Sequence, residues 1–306
     1  MPLSPKKPFI YSYIIFLILI VTAVLVPVRK IIASNEIIPR SSSKHLRESF
    51  FNYGNYYTYS LYWSFINVGT AKLKFSILEE FDSEARLPED SYYKIEFSVI
   101  SNHIINSVYP VHSKIVSILD KNHRPVYYRK NLNQGNEIED TELIFDWGKQ
   151  KIFITENGKN KNPINLISDC LDPLSMIISL CLNDFETKSD FSKSVSDGNK
   201  IVEIKSSLEN KVDLQTKLGL FNSKKVSIET NELRGVFKKS PDANVHIYLN
   251  EDLPSIPIKL SSKVAIGNFY ALIKEGTHNG KKISGMRIDT DKDLFLNKNR
   301  FSIKTK

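Results

Sequence analysis

Apolar and polar positions fall into three patterns along this chain. The first is a continuous apolar run, Phe9 to Val28, twenty residues without a charge. About that length crosses a bilayer core as a helix. The second is strict alternation. Tyr57, Tyr59, Leu61, Trp63 and Phe65 interleave with Thr58, Ser60, Tyr62 and Ser64, and after Asn67-Val68-Gly69 the pattern resumes with Ala71, Leu73, Phe75 and Ile77 against Lys72, Lys74 and Ser76. A period of two predicts β-strands with one face buried. The two stretches form either a hairpin or one long strand bent at Gly69, since glycine suits a turn or a bulge.

The alternation recurs at short intervals. It predicts strands over Tyr92–Ser101, Lys114–Leu119, Pro125–Lys130, Glu137–Asp146, Lys151–Thr155, Lys200–Ser207, Val212–Leu218, Lys225–Thr230, Asn244–Leu249, Ile258–Val264 and Phe269–Lys274. Turn residues separate several of them, as in Glu156-Asn-Gly-Lys and Asp197-Gly-Asn, and Trp147-Gly148-Lys149-Gln150 reads as a hairpin step. Many short strands joined by short turns indicate an antiparallel sandwich or barrel and argue against βαβ units. No period of 20–50 residues marks a repeat architecture.

The third pattern has a period near 3.6 and occurs once. Asp172 is placed to cap a helix, Pro173 to occupy its first position, and Leu174, Ile177, Ile178 and Cys181 to form one apolar stripe. A helix there sets Cys170 and Cys181 roughly 16 Å apart at ~1.5 Å rise per residue. A disulfide needs Cα atoms within about 7 Å. Both cysteines are therefore expected as buried free thiols.

These elements divide the chain into a signal anchor or signal peptide (1–33), a flexible linker (34–48), an antiparallel β domain (49–275) and a basic, polar C-terminal extension (276–306). For a cleaved signal peptide the apolar run is long, and the best cleavage site, after Ala33, has Ile31 rather than a small residue three positions back. A retained anchor in the inner membrane with a periplasmic domain is the favoured reading, with a cleaved, periplasmic product as the alternative. Lys6 and Lys7 precede the run and Arg29 and Lys30 follow it, so charge alone leaves its orientation nearly tied.

Charge adds little to this picture. The chain carries a formal +8 over 306 residues. Four Lys/Arg and no Asp/Glu lie in residues 1–33, so the remainder holds 38 basic against 34 acidic residues, a surplus too mild for a nucleic-acid partner. Chemistry is as sparse. There is no Gly-x-Ser-x-Gly elbow, no P-loop, no His-Glu-x-x-His and no Gly-x-Gly-x-x-Gly. His103 and His112 meet only if a strand turns between them. Asp289, Asp291 and Asp293 open like a calcium loop, but Leu294 and Arg300 stand where such a loop needs Gly and Glu. No cofactor and no metal is expected. Aromatic residues make up 11% of the chain and cluster on the first strands. They fill a core, or they floor a half-open barrel that binds an apolar ligand such as a lipid; Tyr59, Leu61, Trp63 and Phe65 are the candidate lining.

The order of three motifs resembles an exported bacterial family of unknown function, DUF3108. They are Tyr59-Ser-Leu-Tyr-Trp63 leading into Val68-Gly69-Thr70-Ala71, then Asp172-Pro173-Leu174-Ser175, then Ile247 to Asp252 with Ile256-Pro257-Ile258-Lys259, Ala265-Ile266-Gly267 and Phe269 to Ile273. The match spans about residues 50–275. The family often places an Arg soon after the helix, and Cys181-Leu182-Asn183-Asp184 has none. The resemblance implies a mainly β fold, an antiparallel spiralled β-roll or half-barrel with one short helix, facing the periplasm of a Gram-negative bacterium, and it implies no activity. The functional expectation is a non-enzymatic envelope protein, joined to the membrane through Phe9–Val28, that binds an apolar ligand or an envelope protein. The alternative is an envelope hydrolase with scattered carboxylates.

Overall fold

A computed structural model describes residues 48–51, 54–78, 92–229, 245–264 and 267–286. The apolar run Phe9–Val28, nearly all of the expected linker and the Asp289–Asp293 segment lie outside the described residues. Among the described residues no helix is long and apolar enough to cross a membrane.

After a helical stretch at residues 48–51, the chain forms β1 (Tyr56–Trp63), β2 (Ile66–Ile77), β3 (Tyr93–Ser101), α1 (His103–Asn106), β4 (His112–Leu119), β5 (Pro125–Gln134), β6 (Glu137–Asp146), β7 (Lys151–Glu156), β8 (Lys159–Asn160) and β9 (Ile164–Asn165). Then come α2 (Pro173–Leu182), β10 (Asp190–Ser196), β11 (Ile201–Thr216), β12 (Gly219–Ile228), β13 (Val245–Asn250), β14 (Pro257–Val264), β15 (Gly267–His278) and β16 (Lys281–Lys282). The strands join in one antiparallel sheet. Its order runs β10 to β15 in sequence, then β1, then β2 to β8, with β16 on β15 and β9 on β7. The expected mainly β, antiparallel architecture is present as one open, curled sheet with few helices. β1 sits at its centre, paired to β2 on one side and β15 on the other.

The curl is visible where distant parts of this path meet. Gly198, in the turn after β10, adopts a φ of +102°, and a Cβ there would lie 2.6 Å from Leu143 Cδ2 of β6. Leu171, just before α2, bridges Val195 of β10 in parallel. Helix α2 lies against the inner face. Its cap Asp172 accepts from Ser117 Oγ of β4, and the carbonyl of Cys181 accepts from Ser255 N in the β13–β14 loop. One continuous core joins Tyr57, Tyr59 and Phe75 with Tyr128, Leu143, Leu174, Cys181, Ile247 and Phe269.

Several boundaries differ from the pattern read in the sequence. The hairpin of β1 and β2 turns at Ser64-Phe65, not at Asn67–Gly69. Gly69 instead borders the bulge: it pairs with Leu61, and the register then skips Val68 to set Asn67 opposite Tyr62. A Cβ on Gly69 would stand 2.3 Å from the Ile100 carbonyl oxygen. The two strands read over 200–218 are the single strand β11, because a bulge carries the ladder past Leu208 to Asn210. The polar segment expected to start at 276 is partly in the sheet. β15 continues to His278, β16 returns along it, and Met286 bridges Leu220. Helix α2 is buried almost all round, including Met176 and Leu180, where one stripe was expected. Only Ser175 and Ser179 interrupt its apolar sequence, so every side can be covered.

A cationic cleft beside the capped helix

Residues 48–51 fix one end of the sheet, here the proximal end. Phe50 packs on Phe75 and His278, with ring centroids 5.3 and 5.6 Å apart, and Phe51 packs on Tyr93 at 4.5 Å. In an antiparallel meander alternate turns fall at the same end. The β4–β5 turn (120–124) and the β6–β7 turn (147–150) therefore both lie at the proximal end, next to the start of α2.

The concave face itself is filled. Tyr59 and Leu61 are buried in the core, and the Tyr59 hydroxyl donates to the Pro257 carbonyl at 2.9 Å. Trp63 is half-buried and stacks on Phe269, with ring centroids 6.0 Å apart. Phe65 does not join them. It is 86% exposed at the turn, because the ladder ends at Trp63 while the alternating pattern runs one step further. Burial pushes the phenols of Tyr57 and Tyr59 well above their usual range, as expected for a dry interior. Cys170 and Cys181 are buried free thiols. Burial pushes Cys170 up to about 12 and Cys181 further.

Open space lies at the proximal end. A cleft of about 540 Å³ is bounded by the β4–β5 turn, Trp147, residues 169–171, one side of α2 and Lys193 of β10. Leu119, Trp147, Leu171 and Ile178 give it apolar walls; Lys121, Arg124 and Lys193 give it cations. Its rim is held rigidly. Asp120 accepts from the backbone nitrogens of Asn122 and Arg124, each at 2.8 Å, and from Arg124 Nε at 2.8 Å. The guanidinium so fixed lies 5.2 Å from the centroid of Trp147, whose Nε1 donates to the Pro125 carbonyl at 2.7 Å. The turn sequence Asp-Lys-Asn-His-Arg explains this locally, since an Asp bonding backbone two residues on is an Asx turn.

Asp172 anchors the floor. It is fully buried, accepts from Ser117 Oγ at 2.6 Å, Leu174 N at 2.8 Å and Ser175 N at 3.1 Å, and completes a capping box with Ser175. Burial raises its pKa, and those hydrogen bonds oppose the rise. These three accepted hydrogen bonds serve the fold. A smaller cavity of about 270 Å³ between β6–β7 and the β10–β11 turn holds Glu139, Glu156 and Asp197. Glu139 pairs with Lys130 at 2.5 Å and Glu156 with Lys161 at 2.8 Å. Among the described residues no group of His, Cys, Asp and Glu is arranged to hold a metal ion. His103 lies in α1, and His112 opens β4 opposite Ile100.

The sequence singled out none of the cleft residues as a site. A meander hypothesis alone would have placed Arg124 and Trp147 at one end. Lys193 could not be placed that way, because β10 reaches the cleft only through the curl of the sheet.

One family model, described as a protein of unknown function (DUF3108), matches residues 58–274. No curated protein matches the chain. Among solved structures, a beta-barrel-like protein of the domain of unknown function DUF1849 from Brucella abortus is similar at 8% identity. That match covers 74% of this chain and 98% of the other, with a TM-score of 0.47. A hypothetical protein from Chlamydia trachomatis is similar at 13% identity, over 79% of this chain and 96% of the other, with a TM-score of 0.29.

Proposed function

The chain belongs to the DUF3108 family, for which no activity is described, and from that premise we propose that it is a non-enzymatic binding domain of the cell envelope, which takes the apolar part of a small amphiphilic ligand into the proximal cleft. The cleft carries this reading: about 540 Å³ of open space walled by Trp147, Leu119, Leu171 and Ile178 beside a sheet interior already full. That volume falls within the range of small-molecule sites. The run Phe9–Val28 supports tethering to the inner membrane with the β domain in the periplasm.

Native mass spectrometry of the full chain, released from membranes in mild detergent, tests the proposal. The expected result is a bound amphiphile that is lost when Trp147 is replaced by Ala. If neither an adduct nor binding of a fluorescent fatty-acid probe is found, ligand binding is refuted and the domain acts as a scaffold for an envelope protein.

A further inference from the structure

The proximal cleft has a second property beyond its apolar walls: its charges do not cancel. Lys121, Arg124, Lys193 and the imidazole of His123 line it, with one carboxylate, Asp169. Asp120, behind the rim, neutralises Arg124. Neither Lys121 nor Lys193 has a carboxylate partner among the described ion pairs. Lys121 rests its ammonium 5.3 Å from the Tyr92 ring centroid, and Lys193 is half-buried on β10. Cations that line one cleft without carboxylate partners leave a positive field there, which an anion entering the cleft would neutralise through charge-assisted hydrogen bonds.

Resting on the amphiphile reading above, we infer that the ligand is acidic: a single phosphate or carboxylate headgroup sits among Lys121, Arg124 and Lys193, with its apolar chain along Trp147, Leu119 and Ile178. Each part has a distinct role. Arg124 cannot swing away, because Asp120 holds both its Nε and a terminal nitrogen, yet its side chain stays 48% exposed. It therefore presents a guanidinium already oriented before the ligand arrives, which reduces the ordering cost of binding. Lys121 and Lys193 reach the cleft from different elements, one from the β4–β5 turn and one from β10. The start of α2 plays no direct part, since Leu174 N and Ser175 N already donate to Asp172.

The test uses the full chain in micelles of an uncharged detergent. Trp63→Phe leaves Trp147 as the remaining tryptophan, because the chain has two, and its emission reports the cleft. Dodecyl phosphate, dodecanol and inorganic phosphate are titrated separately at matched mole fractions. Dodecyl phosphate should bind at least tenfold more tightly than dodecanol. Combining Lys121→Gln with Lys193→Gln should remove most of that preference, the remainder being that of Arg124, and leave dodecanol binding unchanged; both positions are solvent-accessible, so folding should be preserved. An undiminished preference would overturn the assignment of the two lysines. Equal affinity for the phosphate and the alcohol would overturn the acidic headgroup while leaving the amphiphile reading intact. No binding of either would overturn both. Inorganic phosphate binding as tightly as dodecyl phosphate would make this a free-anion site and refute the apolar-chain assignment.

Discussion

Tyr59 and Phe65 carry the same alternating signal and meet opposite environments. Period two correctly predicts that Tyr59, Leu61 and Trp63 face inward. It cannot say where the ladder stops, because an exposed turn residue costs little whatever its type. Replacing Phe65 by Ala should therefore change stability by no more than about 0.5 kcal/mol. Trp63→Ala, which removes the stack on Phe269, should cost about 2–3 kcal/mol, below the roughly 3–5 kcal/mol of a fully buried aromatic because Trp63 is only half-buried. Urea unfolding of the full chain measures both, and equal losses would refute the assigned end of β1. Tyr128 supplies a sharper case. It is wholly buried, and its hydroxyl has no hydrogen-bond partner among the described residues. Burial first, and then Asp172, Asp197 and Glu139 nearby, drive its phenol well above the usual range. Deleting an unsatisfied buried hydroxyl returns its desolvation cost. Tyr128→Phe should therefore leave stability unchanged or raise it by up to about 1 kcal/mol; a clear loss would mean that the hydroxyl is bonded.

Helix α2 was the most legible element. Asp172, Pro173 and Ser175 announce its start by local rules, and the structure shows the capping box. Its surroundings were not legible, since an apolar segment with two serines can pack on one side or on all. The burial of Asp172 has a consequence for pH. Its carboxyl is held above its ordinary value of 3.8, chiefly by burial. The folded chain therefore keeps a proton where the unfolded chain has lost it. The resulting stability is complete below that ordinary value and fades as pH rises through the folded pKa. Asp172→Asn keeps a capping oxygen and cannot ionise. Unfolding at pH 4 and pH 8 should show the variant gaining on the parent as pH rises, and a pH-independent difference would contradict the burial argument. Asp172→Ala also loses the cap and leaves Ser117 Oγ without its acceptor, at a cost of about 1–3 kcal/mol. At the two ends of the helix, Cys170 and Cys181 should resist a thiol reagent in the native state and both react in denaturant. Rapid native labelling of either would show that its end of α2 opens.

At the scale of the molecule, the sequence made the succession of strands readable but not their closure. Neighbouring strands pair locally, so the meanders β1–β7 and β10–β15 follow from turns and alternation. The pairing of β1 with β15 and the meeting of the β10–β11 turn with β6 join residues more than fifty positions apart, and no local pattern encodes them. The proximal cleft depends on that closure, because Lys193 faces Arg124 and Trp147 only when the sheet curls. Gly198 is the position where this can be tested. Its φ of +102° strains any residue with a Cβ, and the added carbon would stand 2.6 Å from Leu143 Cδ2 and 3.5 Å from Thr141 Cγ2. Leu143 Cδ2 is the end of a flexible side chain, so much of the clash can relax, whereas the backbone strain cannot. Gly198→Ala should cost about 1–3 kcal/mol, and it should weaken ligand binding in the cleft although Gly198 does not line it. Leu143→Ala combined with Gly198→Ala separates the two contributions. If contact with β6 matters, the pair should lose less than the sum of the single losses, because the smaller side chain makes room for the new methyl group. Strict additivity would mean that the β10–β11 turn does not rest on β6, and that the sheet is less tightly curled than described.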